Sequence, residues 1–184
     1  MVTAERQLVP ARGYWVPGDL DDLPEGPRYE IVDGALLVSP PPSVAHQISV
    51  SALLARLFPA LAPELIALPG IGVTFGRTYR IPDVVVVHRP RSRGLEVPPE
   101  DVVLAAEIVS PSSRRQDLIL KPLEYAEIGI PIFWRIEIDD VPEIVVHELR
   151  DGAYVVAASA RGDDRLVIEA PCQLELRPSD LVTF

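Results

Sequence analysis

The sequence predicts a mixed α/β layer built on one sheet with few helices. Three observations carry this. Asp33-Gly34 and Asp151-Gly152 each sit between apolar, strand-like segments, the strongest short hairpin signal. The run Val84-Val85-Val86-Val87 is too β-branched for a helix and too uniformly apolar for a half-exposed strand, so it reads as a central strand buried on both faces. Two other segments carry helix start and stop residues between strands.

In chain order, residues 1–28 are rich in Pro and Gly and read as an irregular arm. Tyr29-Glu30-Ile31-Val32 and Ala35-Leu36-Leu37-Val38 form the first hairpin, which Pro40, Pro41 and Pro42 stop. Ser43 is the N-cap of a helix over 44–58, with Ile48, Leu53, Leu54 and Leu57 on its apolar side and Pro59 and Pro63 ending it. Short strands follow at 66–68 and 71–75, then a strand over 80–88, a loop over 89–100 and a second buried strand over 101–109. Ser110-Pro111 pairs an N-cap with a first-turn proline and opens a helix to about residue 128, closed by Gly129 and Pro131. Pro122 lies inside that helix, and its clash with the Leu118 carbonyl predicts a kink. Strands over 132–138, 143–149 and 153–159 come next, and 166–176 is expected to close the sheet. With no repeat and no linker, the 184 residues read as one domain: an arm to residue 28, a core over 29–138 and a β extension over 139–184.

Composition narrows the function. The formal charge of −10 argues against a protein that grips nucleic acid with its whole surface, but it does not exclude a local site where a metal ion reverses the field. Cys172 is the only cysteine, which removes an intrachain disulfide and leaves a Cys-based zinc site without ligands. The N-terminus has no signal-peptide core and no apolar stretch is long enough to span a membrane, so the cytoplasm is the expected location. Of 17 basic residues, 16 are arginine, and Lys121 is the one lysine. Codon bias explains the arginines but not the survivor, because Lys and Arg differ where a compact ammonium must approach one oxygen.

Two carboxylates stand inside apolar runs. Glu107 lies within the strand 101–109, and Asp83 opens the four-valine strand. Such groups must be neutralised, paired or bound to a cation. If the two strands are neighbours, both carboxylates meet at one sheet edge, a place suited to Mg²⁺ with water and substrate phosphate completing its shell. The bland alternative pairs Glu107 with an arginine and leaves Asp83 as a solvated strand start. Asp117 and Lys121 are i,i+4 on the following helix, and Tyr125 continues their face. His88 and His147 read as structural. Gly-rich phosphate loops, Ser-His-Asp order and Cys/His metal spacing are missing.

Taken together, Tyr29-Glu30 with Asp33-Gly34, His46, Pro82-Asp83-Val84, Glu107-Ile108-Val109-Ser110-Pro111, Asp117, Lys121, Tyr125 with Gly129-Ile130-Pro131, and Trp134 resemble the Uma-type restriction-endonuclease family. That family is a branch of the P-D…(D/E)-x-K nuclease superfamily. The resemblance implies a restriction-endonuclease-like fold, a mixed central sheet flanked by helices, and a Mg²⁺ site (Mn²⁺ substituting) held by Asp83, Glu107 and the Ile108 carbonyl. It also implies Lys121 as the catalytic lysine and Glu30, His46 and Asp117 as supporting groups. The superfamily lysine normally stands two residues after the acid, where this chain has Val109; the Uma-type family takes its lysine from the next helix, as here. Arg114 and Arg115, at that helix's start, are candidates to seat a flanking phosphate. The expected activity is DNA cleavage by a metal-activated water. The alternatives are a catalytically silent nuclease-fold module and a phosphodiesterase acting on RNA or a small substrate. Apolar C-terminal strands and the loose arm suggest a homodimer.

Overall fold

The computed structural model describes residues 9–89, 94–110 and 113–182. Its strands are β1 (Arg28–Val32), β2 (Ala35–Ser39), β3 (Leu65–Pro69), β4 (Gly72–Phe75), β5 (Thr78–Arg80), β6 (Val84–His88), β7 (Glu96–Val97), β8 (Val102–Val109), β9 (Ile132–Glu137), β10 (Glu143–Arg150), β11 (Ala153–Arg161), β12 (Leu166–Ile168) and β13 (Leu174–Leu176). The α-helices are α1 (Val44–Ala60) and α2 (Lys121–Glu127).

The fold class is the mixed one the sequence predicts, but the expected single sheet is three. The main sheet runs β11-β10-β9-β8-β6-β3, a second runs β2-β1-β5-β4-β7, and β12-β13 is a separate hairpin. Residues 166–176 therefore do not close the main sheet; β12 and β13 cover α1 instead, with Leu166, Ile168 and Leu176 in its core. The expected strand over 80–88 also divides. Pro82 has no N–H to continue a ladder, so the chain leaves the second sheet after Arg80 and enters the main one at Val84.

Both central strands are buried as their composition requires. Val84, Val85, Val86 and Val87 are fully buried. Their alternation splits the core: Val84 and Val86 pack with Leu53 and Leu57 of α1, while Val85 and Val87 pack with Tyr125 of α2 and Phe133 of β9. β6 runs antiparallel to both β3 and β8, and β8 runs parallel to β9. Both Asp-Gly turns form, with Asp33 and Gly34 at φ 46° and 83° and Asp151 and Gly152 at 50° and 80°, the left-handed pair that type I′ hairpins need. The arm docks on the first turn: the Trp15 N–H donates to the Gly34 carbonyl at 2.8 Å, and a Cβ on Gly34 would stand 2.8 Å from Tyr14 Cβ.

Ser43 caps α1 as expected, its Oγ accepting the His46 N–H at 3.2 Å. The second helical segment departs from expectation. Pro111 lies outside the described residues; beyond it, Gln116–Leu120 is a π turn that leads into α2. The Lys121 N–H donates to the Gln116 carbonyl, five residues back. The crowding expected of Pro122 is thus accompanied by a widened turn just before it. β11 is an edge strand that leaves Val155 and Val156 exposed. Among the described residues, no helix is long and apolar enough to cross a membrane.

Leu53 ties α1 to the main sheet. Leu53→Ala is expected to lower stability by about 2–5 kcal/mol, the usual range for a buried leucine, with no loss of helix content; urea denaturation followed by circular dichroism measures both.

Candidate metal centre

Asp83 immediately precedes β6, and the β6–β8 register pairs Val84 with Ala106. One step further along that register sets Asp83 opposite Glu107. Both side chains share the sheet face of Val85 and Ala105, the face that Tyr125 of α2 covers. The burial that makes the strands central therefore brings two carboxylates together under one helix.

Asp83 is fully engaged. Its Oδ2 accepts the Ile108 N–H at 2.8 Å and lies 3.0 Å from His46 Nε2. Its Oδ1 accepts from Arg28 Nη1 at 2.9 Å. Burial pushes the Asp83 carboxyl up, but the His46 hydrogen bond and the charges of Arg28 and Lys121 outweigh it and hold the group well below the usual carboxylate range. Glu107 is fully buried; Lys121 Nζ donates to Oε2 at 2.8 Å and the Tyr125 hydroxyl to Oε1 at 2.7 Å. Here burial, with Asp83 and Asp117 nearby, overcomes the pull of Lys121 and lifts the carboxyl to about 8.

Lys121 is buried with its ammonium 3.1 Å from Asp117 Oδ1 and 3.9 Å from Glu30 Oε1. Burial lowers its affinity for a proton, yet the charges of Glu107, Glu30 and Asp117 reverse that and raise its pKa, so it stays an ammonium. Glu30 accepts the Ile81 N–H at 2.8 Å, which ties β1 to the segment before Asp83. The fully buried Arg80 grips Glu124 of α2 through two bonds of 2.7 and 2.8 Å and reaches Gln116 at 3.1 Å, locking the helix over the site.

Asp83, Glu107, Lys121, Glu30, His46 and Asp117 all line one cleft of about 450 Å³. Ile108 meets the site through its N–H. Arg114 does not line the cleft; it pairs with Glu137 at 3.0 Å and Asp139 at 3.7 Å, and Arg115 is exposed. His88 is exposed at the end of β6, and His147 stacks 5.5 Å from Phe133, remote from the cleft. Sequence reasoning passed over Arg28 and Arg80, which no local pattern distinguishes from fourteen other arginines. The Tyr125 hydroxyl did carry a signal, its i,i+4 spacing from Lys121.

The cluster fits a hard divalent cation. Four carboxyl groups, from Glu30, Asp83, Glu107 and Asp117, line the cleft with Arg28 and Lys121, and Arg80 stands 3.5 Å from Glu30 behind it, so the carboxyls still outnumber the cationic side chains. The neighbouring Asp83 and Asp117 add to burial in raising the Glu107 carboxyl. Among the described residues, no three His, Cys, Asp or Glu side chains form a ready metal cage. Mg²⁺ does not need one, since it takes one or two carboxylates and keeps water for the remainder.

The sequence profile of the Uma2 family, described as "Putative restriction endonuclease", matches residues 17–179. The chain belongs to this family. Its fold is similar to the crystal structure of a "putative nuclease belonging to DUF820" from Anabaena variabilis, with a TM-score of 0.66 and 20% identity over 90% of this chain and 96% of that one. No functionally curated protein matches. Membership covers the whole cleft, since every residue named in it lies within the matched segment.

The raised Glu107 carboxyl has a thermodynamic signature. A carboxyl raised by burial binds its proton more tightly in the folded chain than in the unfolded one, so its contribution to stability falls as pH rises above about 4.5. Glu107→Gln is expected to remove that part of the slope, measured by urea denaturation between pH 5 and 8. Identical slopes in the two proteins would contradict the assignment.

Proposed function

We propose that the protein is a Mg²⁺-dependent endonuclease that hydrolyses phosphodiester bonds in DNA, with Mn²⁺ able to substitute. One observation carries the reading: Asp83, Glu107 and Lys121, remote in sequence, converge in one cleft whose carboxyls outnumber its cationic side chains. Asp83 and Glu107 would hold the cation, with the Ile108 carbonyl as a third ligand. The cation would supply a more acidic water as nucleophile and positive charge for the phosphoryl oxygens. The Tyr125 hydroxyl fixes Glu107 through Oε1, and His46 with the Ile108 N–H fixes Asp83 through Oδ2, so both carboxylates arrive oriented. Lys121 brings an ammonium that stays charged and can stabilise the phosphoryl oxygens as their charge grows. DNA is favoured as substrate by the family description, and the net charge of −10 argues against a grip by the whole surface.

A specific observation favours a second reading, a silent structural module: all four oxygens of Asp83 and Glu107 already have protein partners. Calorimetric titration separates the two. The wild type is expected to bind one Mn²⁺, and Glu107→Ala none. Plasmid nicking should require Mg²⁺ or Mn²⁺, and Lys121→Gln should bind the cation yet nick roughly 10²–10³-fold more slowly, the usual loss of a transition-state charge partner. A wild type that binds no divalent cation would establish the module.

A further inference from the structure

Arg28 is a charged residue of the cleft that the proposed chemistry does not use. It is the first residue of β1, and its guanidinium stands on Asp83 Oδ1 at 2.9 Å. Its charge is felt by Asp83 as a lowering and, through the same proximity, by Glu107. In charge and place it does for Asp83 what a cation would do.

Three features mark this contact as replaceable. Arg28 is held at Asp83 by one hydrogen bond, whereas Arg80 grips its glutamate with two. Its Nη2 is shielded from solvent and has no hydrogen-bond partner in the protein, so part of its fork is unused. Its side chain keeps 26% of its surface exposed, while Asp83 keeps 6%, so the arginine can withdraw and the aspartate cannot. The other partners of Asp83, His46 and the Ile108 N–H, both sit on Oδ2. Oδ1 alone is in the charge of a group able to leave.

We propose that Arg28 is a displaceable stand-in for the divalent cation: it neutralises Asp83 in the cation-free protein, yields Oδ1 when the cation binds, and then offers its freed fork to a substrate phosphate. The inference rests on the metal-dependent reading above. Leaving Asp83 unpaired in the buried cleft would be costly, which is why a placeholder is useful. A guanidinium suits the second task because its planar fork matches phosphate oxygens. It also supplies the cleft arginine that Arg114, bound to Glu137, does not.

The two tasks give opposite signs in one variant. Arg28→Ala and Arg28→Gln remove a competitor for Asp83, so calorimetry should show Mn²⁺ binding tightened at least about fivefold, the lower end of ordinary linkage between competing ligands. A merely structural arginine would leave affinity unchanged or weaken it. Fluorescence anisotropy of a labelled DNA duplex should show both variants binding more weakly than wild type in Ca²⁺, and equally to wild type in EDTA, where Arg28 is committed to Asp83. If Arg28→Ala does not fold by circular dichroism, Arg28→Gln decides. Mn²⁺ affinity that is unchanged or reduced overturns the stand-in. An equal loss of DNA affinity with and without Ca²⁺, or no loss in Ca²⁺, overturns the hand-over to phosphate. A wild type that binds no Mn²⁺ overturns the functional reading and this inference together, whereas normal wild-type binding with an unresponsive variant overturns this inference alone.

Discussion

Two carboxylates on one face of a buried sheet cannot both be charged unless positive charge is brought to them. Pairing β6 with β8 creates that problem at Asp83 and Glu107, and most of the surrounding structure is its answer. Arg28 and His46 come to Asp83 from β1 and α1, and Lys121 and Tyr125 come to Glu107 from α2. Even so, burial raises the Glu107 carboxyl above the ordinary carboxylate range. A cluster this acidic is poised to take up a cation, and an endonuclease that needs one to activate water would use the same imbalance.

The second sheet contributes Arg28 and Glu30 and anchors the chain just before Asp83 through the Ile81 N–H. The π turn feeds Lys121 into α2 with Asp117 beside it, and Arg80 clamps that helix to the second sheet through Glu124. The cleft thus lies where the second sheet, the start of α1 and the segment over 116–125 meet the edge of the main sheet. Its acidic floor and buried lysine are held by the packing of both cores.

Much of this was legible in the sequence, for physical reasons that differ by element. The valine run announced a central strand because four β-branched residues fit no other environment, and the Asp-Gly turns announced hairpins because few residues tolerate positive φ. Glu107 stood out because a charge inside an apolar strand demands a partner, and Lys121 because it was the one lysine among arginines. The division into three sheets was not legible: strand pairing is set by contacts remote in sequence, and β12 with β13 looks locally like any other edge hairpin. Arg28 lies 55 positions from Asp83, and only folding shows that it is the arginine that stands on the site. The turn at Pro122 was anticipated as a point of crowding, but the π turn over Gln116–Leu120 just before it was not.

Crystals grown with Mn²⁺ test the central claim most directly, since anomalous scattering locates the ion without assuming its ligands. A single strong peak between the Asp83 and Glu107 carboxylates, with the guanidinium of Arg28 moved off Oδ1, is the expected result. A cleft with no anomalous peak at saturating Mn²⁺, with Arg28 still seated on Asp83, would contradict the account.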